Sequence, residues 1–165
     1  MSETKYYEQT GVAMTCRSFN EYKEMFMLDD LLLNKGKILD VASGASSFVA
    51  ELSKRGYDAV AVDPLYSLSL EGMNDFGSRE IQIATEKIDK IKDFFVWDSY
   101  ESIESHNQIR INSFEQFLES YAEEEKYFSA ALPSLPFEDE TFSLIVCNHF
   151  LFLSRRTAHK TPATK

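Results

Sequence analysis

The sequence predicts an α/β fold in which a small parallel sheet is flanked by helices. Two short apolar runs, 37–41 and 59–62, suit buried parallel strands. Between them, 45–55 carries Phe48, Val49 and Leu52 at helical spacing, with Gly56 placed as a C-terminal stop. Strand, helix and strand fit within 37–63, close to the ~30 residues of a βαβ unit. The right-handed crossover rule sets the two strands side by side and parallel.

Upstream, Ser18 and Glu21 have capping-box spacing, and Phe19, Tyr22 and Phe26 follow at helical intervals. Asn34, Lys35 and Gly36 are expected to close this helix before the first strand. Downstream, Ile81, Ala84, Ile88, Ile91 and Phe95 mark a second helical stripe. Ser113 and Gln116 suggest another capping box ahead of Phe114, Phe117, Leu118 and Tyr121. Both stripes read as core-facing helices. The acids at 123–125 read as a solvated helix end, 127–131 as a third strand and the apolar 143–147 as a fourth. Residues 1–17 read as an irregular segment, and SRRTAHKTPATK at 154–165 as a disordered basic tail. Residues 1–153 thus form one expected domain.

Composition narrows the partners. With 165 residues, 44% apolar and 27% charged, the chain can build one real core. Its formal net charge of −10 disfavours the phosphate backbone of nucleic acid. No apolar run approaches the ~20 residues of a bilayer span. The start, MSETKYYEQT, lacks the basic and apolar regions of a signal peptide. Cys16 and Cys147 have no paired spacing, and Cys147 reads as a small packed hydrophobe. The expectation is a reduced, soluble, cytoplasmic protein that meets neither membrane nor nucleic acid.

The stretch ILDVASGASSF at 38–48 is a strand, a small-residue turn and a helix start. Ala42, Ser43, Gly44, Ala45 and Ser46 are all small, so a ligand could approach the backbone. Asp63 closes the second strand about 20 residues on, where an acid can accept from both hydroxyls of a ribose. Two cofactors suit this pattern. A dinucleotide asks for G-x-G-x-x-G, and here only Gly44 of Ala42, Gly44 and Ser47 is glycine. S-adenosylmethionine carries a carboxylate, an amine and a sulfonium instead of a phosphate. Asp40, at the end of the first strand, suits its ammonium group, so the residues favour the methyl donor. Asp40 as a helix-capping acid, and Asp63 as a turn residue before Pro64, are the plainer alternatives. His149 reads as a packed histidine more readily than as a base.

These residues resemble the class I S-adenosylmethionine-dependent methyltransferases. Their first motif, apolar-apolar-D/E-x-G-x-G-x-G, is matched by Ile38, Leu39, Asp40, Ala42, Gly44 and Ser46, with Ala42 and Ser46 replacing two glycines. Asp63 stands at the ribose-binding acid, and Pro64 and Leu65 at the neighbouring adenine-contacting positions. LPFEDETFSLIVCNHFLFL resembles the segment that leads into the family's fourth strand, although Ala131 and Leu132 stand where an adenine-contacting acid is common. The resemblance spans 37–153.

The resemblance implies a Rossmann-like methyltransferase fold with strand order 3-2-1-4, and S-adenosylmethionine bound by Asp40, Ala42, Ser43, Gly44, Ser46, Asp63, Pro64 and Leu65. It implies methyl transfer to an acceptor, which the acidity of the chain suggests is a small molecule, and it assigns no catalytic residue and no metal. The family's full sheet has seven strands, so its C-terminal strands are expected to be missing here. The shift in composition at Ser154 reads as a truncation or a change of reading frame in a longer ancestor. The rival expectation is a non-catalytic remnant that binds cofactor or protein. The outer edge of the fourth strand is expected to stay open, which would favour a homodimer.

Overall fold

The computed structural model describes residues 14–94, 100–123 and 125–148. Helices α1 (Phe19–Met25) and α2 (Asp30–Leu33) precede strand β1 (Ile38–Val41). Helix α3 (Phe48–Lys54) leads to β2 (Ala59–Val62), and then come the long helices α4 (Leu70–Asp89) and α5 (Ile103–Tyr121). The short β3 (Tyr127–Phe128) and β4 (Leu144–Cys147) complete an all-parallel sheet of order β3-β2-β1-β4. An α/β fold of this kind fits the Rossmann-like expectation.

Both faces of the central strands are buried, so their sequences are continuously apolar apart from one acid. Ile38 joins the main core with Phe48, Val49, Leu52, Phe117 and Tyr121. Leu39, Val41, Val60 and Val62 face the other way, against Phe128, Leu135, Phe137 and Phe142. The turn-rich segment after β3 therefore covers a sheet face. In the main core Tyr22 stacks on Phe48, with ring centroids 4.2 Å apart.

The Ser18–Glu21 capping box forms as the sequence predicts. Glu21 is also the centre of a polar cluster. Its carboxylate accepts from Ser18 N at 2.8 Å, Arg17 Nη1 at 3.0 Å, the Tyr100 hydroxyl at 2.8 Å and Arg110 Nη2. Burial raises its pKa, but the Arg110 charge and these donors outweigh burial and bring it to about 2.

Several expected boundaries need correction. The first helix does not run on to Asn34: Met27 turns left-handed at φ 51° and splits it into α1 and α2. Ser113 is not an N-cap but lies within α5, whose cap is Ser102, bonded to Ser105 N. Ser113 Oγ instead donates to the carbonyl of Arg17 at 2.8 Å. Helix α3 starts at Phe48, since 45–47 belong to the loop. Helix α4 starts at Leu70 under a Ser69 cap and ends before Ile91, and its stripe is only half-buried beyond Gly77. β3 is two residues long and stops short of Ala131. Glu123 and Glu125 are exposed, as a solvated helix end requires.

Among the described residues β4 pairs only with β1, and Ile145 on it is 60% exposed. The N-terminal segment 1–13, Phe95, Glu124, His149, Phe150, Phe152 and the tail 154–165 lie outside the described residues. No described helix is long and apolar enough to cross a membrane.

Helices α4 and α5 meet at Gly77. A Cβ there would fall 2.3 Å from Phe114 Cζ, an overlap that a buried ring relieves only by moving. Gly77→Ala should therefore destabilise the fold by about 1–3 kcal/mol, despite the better helix propensity of alanine. A urea midpoint equal to or above that of the parent would overturn this packing.

Candidate functional site

β1 carries its one charged residue at its third position, with Ala61 and Val146 as its partners across the sheet. Because Leu39 and Val41 point to the opposite face, Asp40 shares the face of Ile38, toward α1 and α3. It is 0% exposed. Ser43 Oγ donates to Oδ2 at 2.6 Å. The nearby Tyr22 hydroxyl also favours the anion but leaves Oδ1 without a hydrogen bond. Burial dominates and pushes the carboxyl up to about 7; Ser43 and Tyr22 pull it down, and the Asp63 charge pushes it further up.

The loop after β1 is a tight, internally bonded turn. Ala42 and Gly44 both take left-handed backbone conformations, at φ 54° and 57°. Ala42 N and Ser43 N donate to the Val62 carbonyl at 2.9 and 3.4 Å. Gly44 N donates to Asp63 Oδ2 and Leu65 N to Asp63 Oδ1, each at 2.9 Å. Burial raises the Asp63 pKa, while these two amides lower it. The Tyr66 hydroxyl donates to the Gly44 carbonyl at 2.7 Å. Ser46 N donates to the Ser43 carbonyl at 3.3 Å and Phe48 N to Ser46 Oγ at 3.1 Å. Ser47 N is shared between the Arg17 carbonyl at 3.0 Å and Ser113 Oγ at 3.1 Å.

This bonding decides what the loop can hold. A phosphate binds at a helix start through unpaired amides, and here the amides of Gly44, Ser46, Ser47 and Phe48 already have acceptors. The opposite demand comes from Asp40. A buried carboxylate oxygen with no donor carries a desolvation cost that a cationic donor would remove. Asp63 spends one lone pair of each oxygen on a backbone amide and keeps others to accept from hydroxyls. The site therefore suits a ligand with an ammonium group and a diol.

The structure brings Asp40, Ser43, Gly44 and Asp63 together directly, with Ala42 in the same turn. Ser46 is in the loop, but its hydroxyl turns to the Arg17 carbonyl at 2.9 Å. Leu65 is half-buried and Pro64 exposed, at the start of a 3-10 turn, Pro64–Ser67. Sequence reasoning missed Tyr22, Tyr66, Ser113 and the Arg17 carbonyl. Tyr22 shows only as part of an apolar stripe, and Ser113 resembles a cap. Cys16 is buried, and burial pushes its thiol up to about 12, so it is an inert core residue. Cys147 packs on the second cluster as expected. Among the described residues no group of His, Cys, Asp and Glu is arranged to hold a metal.

Comparison with known proteins brings out a relative in an archaeon. The chain is 32% identical over 151 residues to an uncharacterized protein of Methanocaldococcus jannaschii, a match covering 90% of this chain and 68% of that protein. No family model matches the chain. No solved structure matches it.

Two outcomes follow from the loop geometry. Left-handed backbone costs an alanine roughly 1–2 kcal/mol, so Ala42→Gly should raise stability by up to about 1 kcal/mol after the entropy of glycine is counted. A lower urea midpoint would show that the Ala42 methyl matters more than its backbone. Asp40 sets a pH dependence. Its folded pKa of about 7 lies above the ordinary value of 3.8, so across that window the folded state holds a proton that the unfolded state has lost. Its contribution to stability is present in acid and is lost as pH rises through about 7. Asp40→Asn should remove this slope, and parallel urea titrations of the two proteins across the window would expose an unchanged slope.

Proposed function

We propose that this chain, which belongs to the same family as the Methanocaldococcus jannaschii protein, binds S-adenosylmethionine and is a methyltransferase for a small-molecule acceptor. The observation that carries the reading is the buried, unpartnered Oδ1 of Asp40 beside a loop in which the amides of residues 42–44 and 46–48 are already bonded. That pairing favours a ligand with an ammonium and no phosphate over a dinucleotide. Asp40 with Ser43 would take the amino group, Asp63 the ribose hydroxyls, and Gly44, Pro64 and Leu65 the neighbouring surfaces. Ala42 shapes the turn, and Ser46 supports it through the Arg17 carbonyl.

When bound, the cofactor supplies an electrophilic methyl on sulfur. The chain's own part in such a displacement is to position the ligand and to exclude water. Asp40 lies fully buried, in a setting where a charge pair is strong. An ammonium arriving at Asp40 favours its anion, so binding at neutral pH should release a fraction of a proton. Affinity should fall as pH drops below about 7.

A second reading, a binding module without turnover, draws on specific features. Grooves of about 660 Å³ at Leu70, Glu71 and Leu118, and of about 360 Å³ at Tyr100 and Ile109, include no residue of the loop. Beyond β4 no further strand stands among the described residues.

Titration calorimetry with S-adenosylmethionine, its demethylated product and NAD tests the cofactor. Heat from the first two and none from NAD is expected, and heat from NAD alone would overturn the reading. Asp63→Ala should weaken binding by roughly 1–3 kcal/mol. Transfer of labelled methyl groups to small molecules of an extract separates the two readings. Sustained turnover excludes a mere binding module, whereas tight binding with no transfer supports one.

A further inference from the structure

Residues 14–17 run without regular secondary structure over the loop that follows β1. The carbonyl of Arg17 accepts from Ser46 Oγ at 2.9 Å, Ser47 N at 3.0 Å and Ser113 Oγ at 2.8 Å. The carbonyl of Cys16 accepts from Arg110 Nη1 at 2.5 Å. Met14 lies over two glycines. Its Cγ is 3.5 Å from the point where a side chain on Gly44 would begin, and its Cε is 3.1 Å from the same point on Gly77. Cys16 is 1% exposed, and Asp40 is sealed at 0%.

We propose that residues 14–17 are a strap closed over the loop, that it must lift before a ligand reaches Asp40, and that Ser113 and Arg110 on α5 hold it down. The contacts that fix it come mostly from side chains of other elements, rather than from a helix or strand of its own. Such segments open at lower free energy than the sheet beneath them. Met14, Ser113 and Arg110 can release it without breaking a strand pair. The strap's Arg17 carbonyl takes Ser47 N and Ser46 Oγ, and Asp63 takes Gly44 N, so the closed loop is held in place without a ligand. A ligand that needs Asp40 must select the lifted form, and its apparent affinity is reduced by the fraction of molecules that are open. Through Ser113, α5 reaches both the strap and the start of α3, and it would transmit to the loop any load placed on the α4–α5 pair. The identity of the ligand rests on the cofactor reading above, but the motion does not.

Cys16 reports the motion directly, because lifting the strap uncovers its thiol. In a Cys147→Ala background, labelling of Cys16 by an excess of a thiol reagent should proceed through a local opening. Its rate should be nearly independent of low urea, since little surface is exposed. Ser113→Ala should accelerate it about tenfold, as loss of roughly one hydrogen bond predicts. Met14→Ala, a milder change, should act in the same direction. Labelling that follows urea with the full slope of global unfolding, in all three proteins, would overturn the strap.

Stopped-flow binding of S-adenosylmethionine supplies the second arm. The association rate should reach a ceiling equal to the opening rate seen by labelling, and Ser113→Ala should raise that ceiling. A rate that climbs linearly past the opening rate would refute the strap while keeping the cofactor. Local labelling without any binding would keep the strap and remove the cofactor.

Discussion

The carboxylate of Asp63 joins the two turns on which the site depends. One oxygen holds Gly44 N and the other Leu65 N, so the loop after β1 and the turn after β2 are tied through a single side chain. The strands below are locked in parallel register, Asp40 opposite Ala61 and Val41 opposite Val62. With strand ends fixed and the carboxylate bridging them, the loop must fold back sharply. It does so through two left-handed residues, Ala42 and Gly44. Without the bridge a buried amide at Gly44 would lack an acceptor, at a cost comparable to that of the turn itself.

A second tie brings the helices to the same place. Arg110 on α5 bonds both Glu21 on α1 and the Cys16 carbonyl, while Ser113, one turn further along α5, bonds Arg17 and Ser47. Residues at i and i+3 lie on one helix face, so a single face of α5 fixes the segment before α1 and the start of α3. Gly77 makes this possible from the other side. By admitting Phe114 against α4 it lets α5 approach closely. The long insertion between β2 and β3 thereby shapes the loop, although it contributes none of the acids.

The strands and the acids Asp40 and Asp63 were legible because each has a local signal, whereas the strand order was expected only from the resemblance. Short apolar runs mark buried strands, capping boxes mark helix starts, and an acid at a strand end is conspicuous. Met27 gave no such signal: methionine has no local preference for the left-handed backbone that it adopts between the half-buried Phe26 and the buried Leu28. Ser113 misled because serine followed by glutamine three residues later has the same spacing whether it caps a helix or faces one from within. What decides between them is an acceptor 96 residues away in sequence, the carbonyl of Arg17. Ala42 shows the reverse case. The motif that this stretch resembles has glycine there, and the backbone of Ala42 takes a positive φ that alanine tolerates at a cost.

Asp40 and the part-buried Glu21 answer to the same rule with opposite shifts. Burial penalises the anion of both, and what differs is the company each one keeps. Glu21 is bonded to two guanidinium groups, two hydroxyls and a backbone amide, so its charge is stabilised and its pKa falls to about 2. Asp40 has hydroxyls but no cation, so burial prevails and its pKa rises to about 7. The stabilisation from Glu21 is present above about 4.5 and is lost as pH falls toward 2, whereas that from Asp40 is lost as pH rises through 7. A structural acid is built to be charged and complete in the folded protein. Asp40 is buried with no cation beside it and one oxygen without a hydrogen bond, and that asymmetry is what supports the cationic ligand proposed for it.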